Sequence, residues 1–301
     1  MPAPSGAAAE ATQTAGEAAC RAGVEVADLH DIAEHHQVAK LFIEVWKTSV
    51  QDAPCTPQLL RAFAHSGNYV AGARLDGQIV GAAVAFLHPG RDGLALHSHI
   101  TGVSDAVQGR NVGFALKQHQ RAWALARGIP RINWTFDPLV RRNAWFNLVK
   151  LGAEGIEYLP HFYGPMADAI NAGDETDRCL VSWRLESGRA GAAASGNAAE
   201  ASLEALRAAG ARVALSEGPD GRPVAADPTD LEEPAAGALL AWVPPDIVAL
   251  RASDPALGLR WRRALRAAMG AAMRRGLVAT GMTRSGWYVL ESPGPPGEEP
   301  A

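Results

Sequence analysis

The chain has 301 residues and a formal net charge of −4, enough length for a large core or two globular units and a charge that argues against a general nucleic-acid binder. Cys20, Cys55 and Cys179 stand apart with no Cys-x-x-Cys spacing, so the sequence suggests neither a zinc site nor a disulfide framework. Its apolar runs are too short and too often broken to span a bilayer, and residues 1–20 lack the basic start and hydrophobic stretch of a signal peptide, which together predict a soluble cytoplasmic protein without membrane contact.

Residues 1–20, rich in Ala, Gly, Thr and Ser, read as a disordered arm. Val24 to Asp31 reads as a strand. Glu34 to Lys47 reads as a helix, with Val38, Leu41, Phe42, Val45 and Trp46 on one stripe. Pro57 opens a second helix. Tyr69 to Leu75 and Ile79 to Leu87 form a hairpin around Asp76-Gly77, a strong two-residue turn signal. Leu94 to Val103 is the next strand. A helix from Leu116 to Arg127 follows, closed by Gly128 and Pro130, then an alternating strand from Arg131 to Phe136 and an amphipathic helix from Arg142 to Leu151. Residues 187–200 read as a low-complexity linker. Beyond it, residues 201–301 predict a smaller α/β extension docked on the first domain: strands at Arg212–Ser216 and Leu239–Val243, a helix from Asp254-Pro255 to about Arg275, and a hairpin from Leu277 to Leu290.

Between the strand ending at Val103 and the following helix lies Gln108-Gly109-Arg110-Asn111-Val112-Gly113-Phe114. Unpaired N–H groups at a helix start, together with the helix dipole, make such a turn an anion site. It is not a P-loop, because Phe114-Ala115 follows Gly113 where Lys-Ser/Thr is required. It is not a dinucleotide fingerprint, because only Gly109 and Gly113 are present. It resembles the Gln/Arg-x-x-Gly-x-Gly/Ala loop of acyl-CoA-dependent N-acetyltransferases, the GNAT superfamily. Gln108 takes the first position, Gly113 the last, and Asn111 stands for the middle glycine as one of the few residues that tolerate the left-handed region. The order of elements over about residues 24–186 is similar to that fold. Trp134-Thr-Phe-Asp137-Pro-Leu, Arg142-Asn143-Ala, Lys150-Leu-Gly-Ala153 and Asp177-Arg178 also look like a bacterial branch with a C-terminal extension.

The resemblance implies an α/β (α+β mixed) fold: a GNAT-like central mixed sheet, splayed strands and flanking helices, over residues 21–186. It implies acetyl-CoA as acyl donor, held by Val103 and by residues 108–114, with Asn143 on the donor's arm or, equally naturally, in a helix cap or first turn. His97 and His99 share a face of the preceding strand. Their spacing to Val103 and Gln108 resembles arylalkylamine N-acetyltransferases, in which such a pair relays the amine proton; otherwise one of them packs or holds a backbone group. Leu148 stands where many family members have a tyrosine that protonates the thiolate, so Tyr158 or Tyr163 substitutes, or solvent does. Trp134 is a candidate pocket wall or core residue, and Asp137 a candidate partner for a substrate ammonium or a turn residue before Pro138.

His119 reads as a satisfied core or boundary histidine. His35-His36 and His161 lack partners at metal-ligand spacing, so no metal site is expected. Arg260, Arg262, Arg263, Arg266, Arg274 and Arg275 read as the solvated face of an amphipathic helix, or more sharply as an anionic-ligand or partner surface. The function these features imply is acetyl transfer to a small amine by direct attack in a ternary complex, with no nucleic-acid partner and a homodimer left open. The alternatives are a non-catalytic acyl-CoA sensor or interaction module, and aminoacyl or peptide transfer on the same fold.

Overall fold

The computed structural model describes residues 6–90, 93–164, 174–227 and 237–293. The chain divides into two compact units, residues 1–134 with 184–186, and residues 135–183 with 187–301. The boundary expected at 187–200 is therefore not where the chain divides. The reason lies in strand pairing and ion pairs that join residues 135–183 to the C-terminal extension, as described below.

In the first unit the strand order is β1 (Glu25–Asp28), β2 (Tyr69–Leu75), β3 (Gln78–Gly90), β4 (Gly93–Val103) and β5 (Arg131–Phe136), the last up to Trp134. Neighbours are antiparallel except β4 and β5, which run parallel. The β2–β3 turn is Asp76-Gly77, both at positive φ, as the dipeptide predicts. Helices α2 (Ile32–Trp46) and α3 (Pro57–His65) bring Val38, Leu41, Phe42 and Leu60 onto Val70, Ala82 and Val84 of the sheet. The Glu34 carboxylate accepts the Asp31 and His30 N–H groups at 3.1 and 3.2 Å and fixes the start of α2.

Helix α4 (Val112–Leu125) starts one turn earlier than the apolar pattern alone indicates, directly on the glycine turn. Its opposite side is covered by α1 (Gly6–Ala22), so the expectation of a disordered arm is wrong for these residues. Ala8, Ala11, Ala15, Ala18 and Ala22 are buried at helical spacing. Alanine carries little hydrophobic signal, yet it is the best helix former, and its small side chain permits close helix–helix approach.

In the second unit the order is β7 (Arg178–Arg184, up to Trp183), β6 (Glu154–Leu159), β11 (Val278–Met282), β12 (Trp287–Glu291), β10 (Leu239–Trp242), β8 (Arg212–Glu217) and β9 (Pro223–Ala225). Ala279 of the extension pairs with Gly155, placing tail strands beside β6. After the short helices α7 (Leu203–Ala208) and α8 (Ile247–Ser253), helix α9 (Pro255–Arg274) packs across β6, β8, β9 and β10. Its Trp261 is buried against Trp242 at 5.3 Å between ring centroids and donates to the Gly221 carbonyl at 3.0 Å. The expected linker contains helix α6 (Gly188–Ala194), capped by the Ser187 hydroxyl and burying Ala190, Ala193 and Ala194. Its composition hid it for the same reason as α1. Helix α5 (Arg141–Trp145) continues as a wider turn over Phe146–Lys150, where the Leu151 N–H reaches the Phe146 carbonyl at 3.0 Å.

Candidate functional site

The β4–α4 junction is built from backbone conformation. Gly109 has φ +81° and Asn111 φ 62°, so Asn111 occupies the left-handed region that the resemblance reserves for glycine. Asn111 caps α4: its carbonyl accepts the Phe114 and Ala115 N–H groups, both at 3.0 Å. The amides of Val112 and Gly113 precede the helix's own ladder. Gln108, Gly109, Arg110 and Asn111 are exposed, and the Gln108 side chain bonds to Asp105. A Cβ added at Gly109 would meet nothing, and one at Gly113 would touch only Val103 at 3.8 Å, so both glycines leave open space at the turn. Val103 ends β4 and Val112 and Phe114 begin α4, so every predicted donor-loop residue in this unit lies at one junction.

The β4–β5 pairing is registered at Leu96–Ile132 and His97–Asn133, while β4 continues to Val103. This is the splay the resemblance implies. On β4 a bulge sets Ala85 opposite Ser98 and Val84 opposite Ile100, leaving His99 as the extra residue. The His97 and His99 rings both reach Phe86, at 4.9 and 5.9 Å, and lie 6.4 Å from each other, so they share a face as predicted. His88 joins them, 6.4 Å from His97. Burial, and then the neighbouring His99, His88 and Lys117, lower His97 to about 4; burial lowers His99 as well. The near-neutral base expected from an unperturbed histidine is therefore corrected: burial favours the neutral His97 ring through the neutral range and makes it a weaker base than a free imidazole.

One residue of this unit escaped the sequence reading. Lys117, on α4, is only 5 % exposed. Its Nζ donates to Ser98 Oγ at 2.8 Å and to Gln120 Oε1 at 3.3 Å, and lies 4.0 Å from the Trp134 ring centroid. Burial lowers it to about 7. Trp134, buried beneath this ammonium, is a wall of that contact. The available signal was a lysine set among Leu116 and other inward positions of a helix. His119 takes the Tyr69 hydroxyl at 2.9 Å, the satisfied role expected of it.

The remaining predicted residues lie in the second unit. Asp137 is not available to an ammonium substrate. Both its oxygens bond Arg262 at 2.8 Å, Arg251 adds a contact at 2.9 Å, and the Leu139 N–H bonds it at 2.9 Å. Burial alone would raise this carboxyl, but the two guanidinium groups hold it well below the usual carboxylate range. Tyr158 is also corrected. Its buried hydroxyl donates to Asp177 at 2.8 Å, and burial and that carboxylate push its pKa up, so it keeps its proton as an internal bond. Tyr163 is exposed, 3.2 Å from the Thr135 hydroxyl. Asn143 is exposed in the first turn of α5, and Leu148 is buried.

The arginine cluster is a solvated face only in part: Arg260, Arg263, Arg274 and Arg275 are exposed, whereas Arg262 and Arg266 turn to buried carboxylates. Arg262 also bonds Asp174 at 2.8 Å, and Arg266 bonds Asp177 at 2.7 and 2.8 Å and Glu175. The ligand atoms of His161, Glu175 and Asp177 lie within 4.8 Å of one another, but Arg263 and Arg266 already bond the two carboxylates, so the group is an ion-pair cluster. No helix among the described residues is long and apolar enough to cross a membrane.

The Acetyltransferase (GNAT) family model matches residues 29–150. Among solved structures, a GNAT-family acetyltransferase from Streptococcus pneumoniae is 13 % identical, with 53 % of this chain and 98 % of that one covered and a TM-score of 0.44. A Salmonella typhimurium structure solved with its cofactor acetyl-CoA is 16 % identical, covering 56 % and 98 %, with a TM-score of 0.44. The ribosomal-protein-S18-alanine N-acetyltransferase of Escherichia coli is 12 % identical, covering 55 % and 96 %, with a TM-score of 0.42. No curated protein matches the chain. The matched segment, about two fifths of the chain, runs from the end of β1 through the glycine turn past α5, and it is this segment that is similar to the GNAT acetyltransferases.

Proposed function

We propose that the chain is an acyl-CoA-dependent N-acetyltransferase that transfers acetyl from acetyl-CoA to a small amine by direct attack in a ternary complex. The observation that carries this reading is the start of α4: an exposed turn with Asn111 in the left-handed region, the Val112 and Gly113 amides at its head, and open space at both glycines. Residues 108–114 fit a pyrophosphate, with the exposed Arg110 adding charge. Acetyl-CoA supplies the activated acyl group. His99, assisted by His97, accepts the amine proton on the Phe86 face of β4. Holding the amine near the acyl group accounts for much of the rate.

Because a Cβ at Gly113 meets only Val103 at 3.8 Å, Gly113→Val is expected to fold while placing a branched side chain at the turn, with circular dichroism checking the fold. Calorimetry should show acetyl-CoA affinity reduced about tenfold or more; unchanged affinity in the folded variant sinks the assignment. Replacing His97 and His99 together by Gln should lower turnover by roughly 10²–10⁴-fold with donor affinity kept. The second reading, an acyl-CoA sensor without turnover, is favoured by buried Leu148 and by the Tyr158 hydroxyl being bound to Asp177. Release of free thiol in an amine screen separates the two.

A further inference from the structure

Acetyl transfer needs a proton for the departing thiolate, and of the two tyrosines expected to give it Tyr158 does not stand ready, while Tyr163 is exposed on the other unit. Position 148 is a leucine, and Tyr158 is locked to Asp177. The first unit contains another proton-bearing group at the separation of β4 and β5. The last registered pair is His97–Asn133. The next residue on each strand is Ser98 and Trp134, and both hold Lys117 Nζ, at 2.8 Å from the hydroxyl and 4.0 Å from the ring centroid. A single ammonium thus bridges the first residues past the point where the strands part.

We propose that Lys117 is the proton donor to the leaving thiolate. The inference rests on the acetyl-transfer reading above. As the carbon–sulfur bond breaks, its electron pair stays on sulfur. The Lys117 ammonium gives up one N–H proton to form the S–H bond and becomes a neutral amine. The proton that the acceptor amine lost to His97 and His99 then passes to solvent, and solvent reprotonates Lys117, so no proton is gained or lost overall.

The surroundings suit this role. No carboxylate stabilises the ammonium among the bonds it makes: Ser98, Gln120 and the Trp134 ring are neutral. The titratable groups on β4 are His97 and His99, which turn to the Phe86 face, and His97 is itself lowered in part by the Lys117 charge. On α4, His119 bonds Tyr69 and Arg121 bonds the Leu185 carbonyl at 2.9 Å, so neither partners Lys117. A lysine held this way loses its proton near neutrality, at about 7, which is where a proton donor works best. An exposed lysine would hold its proton too tightly.

Two measurements test this. In the protein without donor, the Cε resonance of Lys117, assigned by its loss in Lys117→Arg, should titrate near pH 7, as the lowered value of about 7 requires. An ordinary lysine midpoint overturns the proposal. In turnover, Lys117→Met and Lys117→Arg should each lose about 10²-fold in kcat with acetyl-CoA. With an acetyl thioester of 4-nitrothiophenol, whose thiolate leaves without a proton, the loss should be under about threefold. Arg keeps the charge over Trp134 but cannot release a proton, so equal losses on both donors mean a structural role and overturn the proposal. Calorimetry on the unaltered protein separates this failure from that of the parent reading. Acetyl-CoA binding and thiol release with equal losses refute only Lys117. Absent binding or absent release refutes acetyl transfer, and the proton donor with it.

Discussion

Lys117 in the first unit and Arg262 in the second are both cations removed from water, 5 % and 1 % exposed, and they have opposite surroundings. Arg262 meets Asp137 and Asp174 with paired bonds of 2.8–3.2 Å, and these carboxylates outweigh burial and raise its pKa. Lys117 meets a hydroxyl, an amide oxygen and an indole, and burial dominates. The charge of Arg262 is permanent and ties α9 to residues 137 and 174. The charge of Lys117 is conditional on pH. A buried cation is cement or a titrating group according to whether an anion is buried with it.

The largest expected effect breaks the cemented half. Arg262→Met leaves Asp137 and Asp174 buried with one fewer cation and should cost about 3–5 kcal/mol, read as a lower urea midpoint. The second inverts the sign. Between about 7 and the ordinary lysine value of 10.5 the unfolded chain binds a proton at Lys117 that the folded chain does not. Stability therefore rises with pH across that window, and the full penalty is present below it. Lys117→Met should accordingly stabilise the protein by ~2 kcal/mol at pH 6. The gain should vanish by about pH 11, above both values, and a gain independent of pH would contradict the assignment. The smallest effect belongs to the neighbour of Arg262 on the same helix. Arg263 is 63 % exposed and bonds Glu175 at 3.1 Å, so Arg263→Ala should change stability by less than about 1 kcal/mol in thermal unfolding.

Local signals carried much of the fold. Asp76-Gly77, the alternation from Arg131 to Phe136 and the Asp254-Pro255 cap each act over a few residues, and their elements stand where those signals put them. The β4–α4 turn was legible because its conformation is written in Gly109 and Asn111, both at positive φ. Two helices were not, because buried alanine stripes at 8–22 and 190–194 look like low complexity. The roles of Asp137 and the arginines were hidden for another reason. Their partners lie 88 to 125 residues apart along the chain, and no local pattern in either segment announces the other. Lys117 stood in plain view on a helix, but its meaning depends on Ser98 and Trp134 from two different strands.

The alanine-rich start of the chain has a practical consequence for anyone producing this protein. Trimming residues 6–22 as a dispensable tail, a routine step before crystallisation, would peel a cover off α4. Gln118 and Arg121, both buried, lie on that helix, and Arg121 faces Glu10 at 3.8 Å. A shortened protein that precipitates would then report an uncovered flank and say nothing about the glycine turn at the start of the same helix.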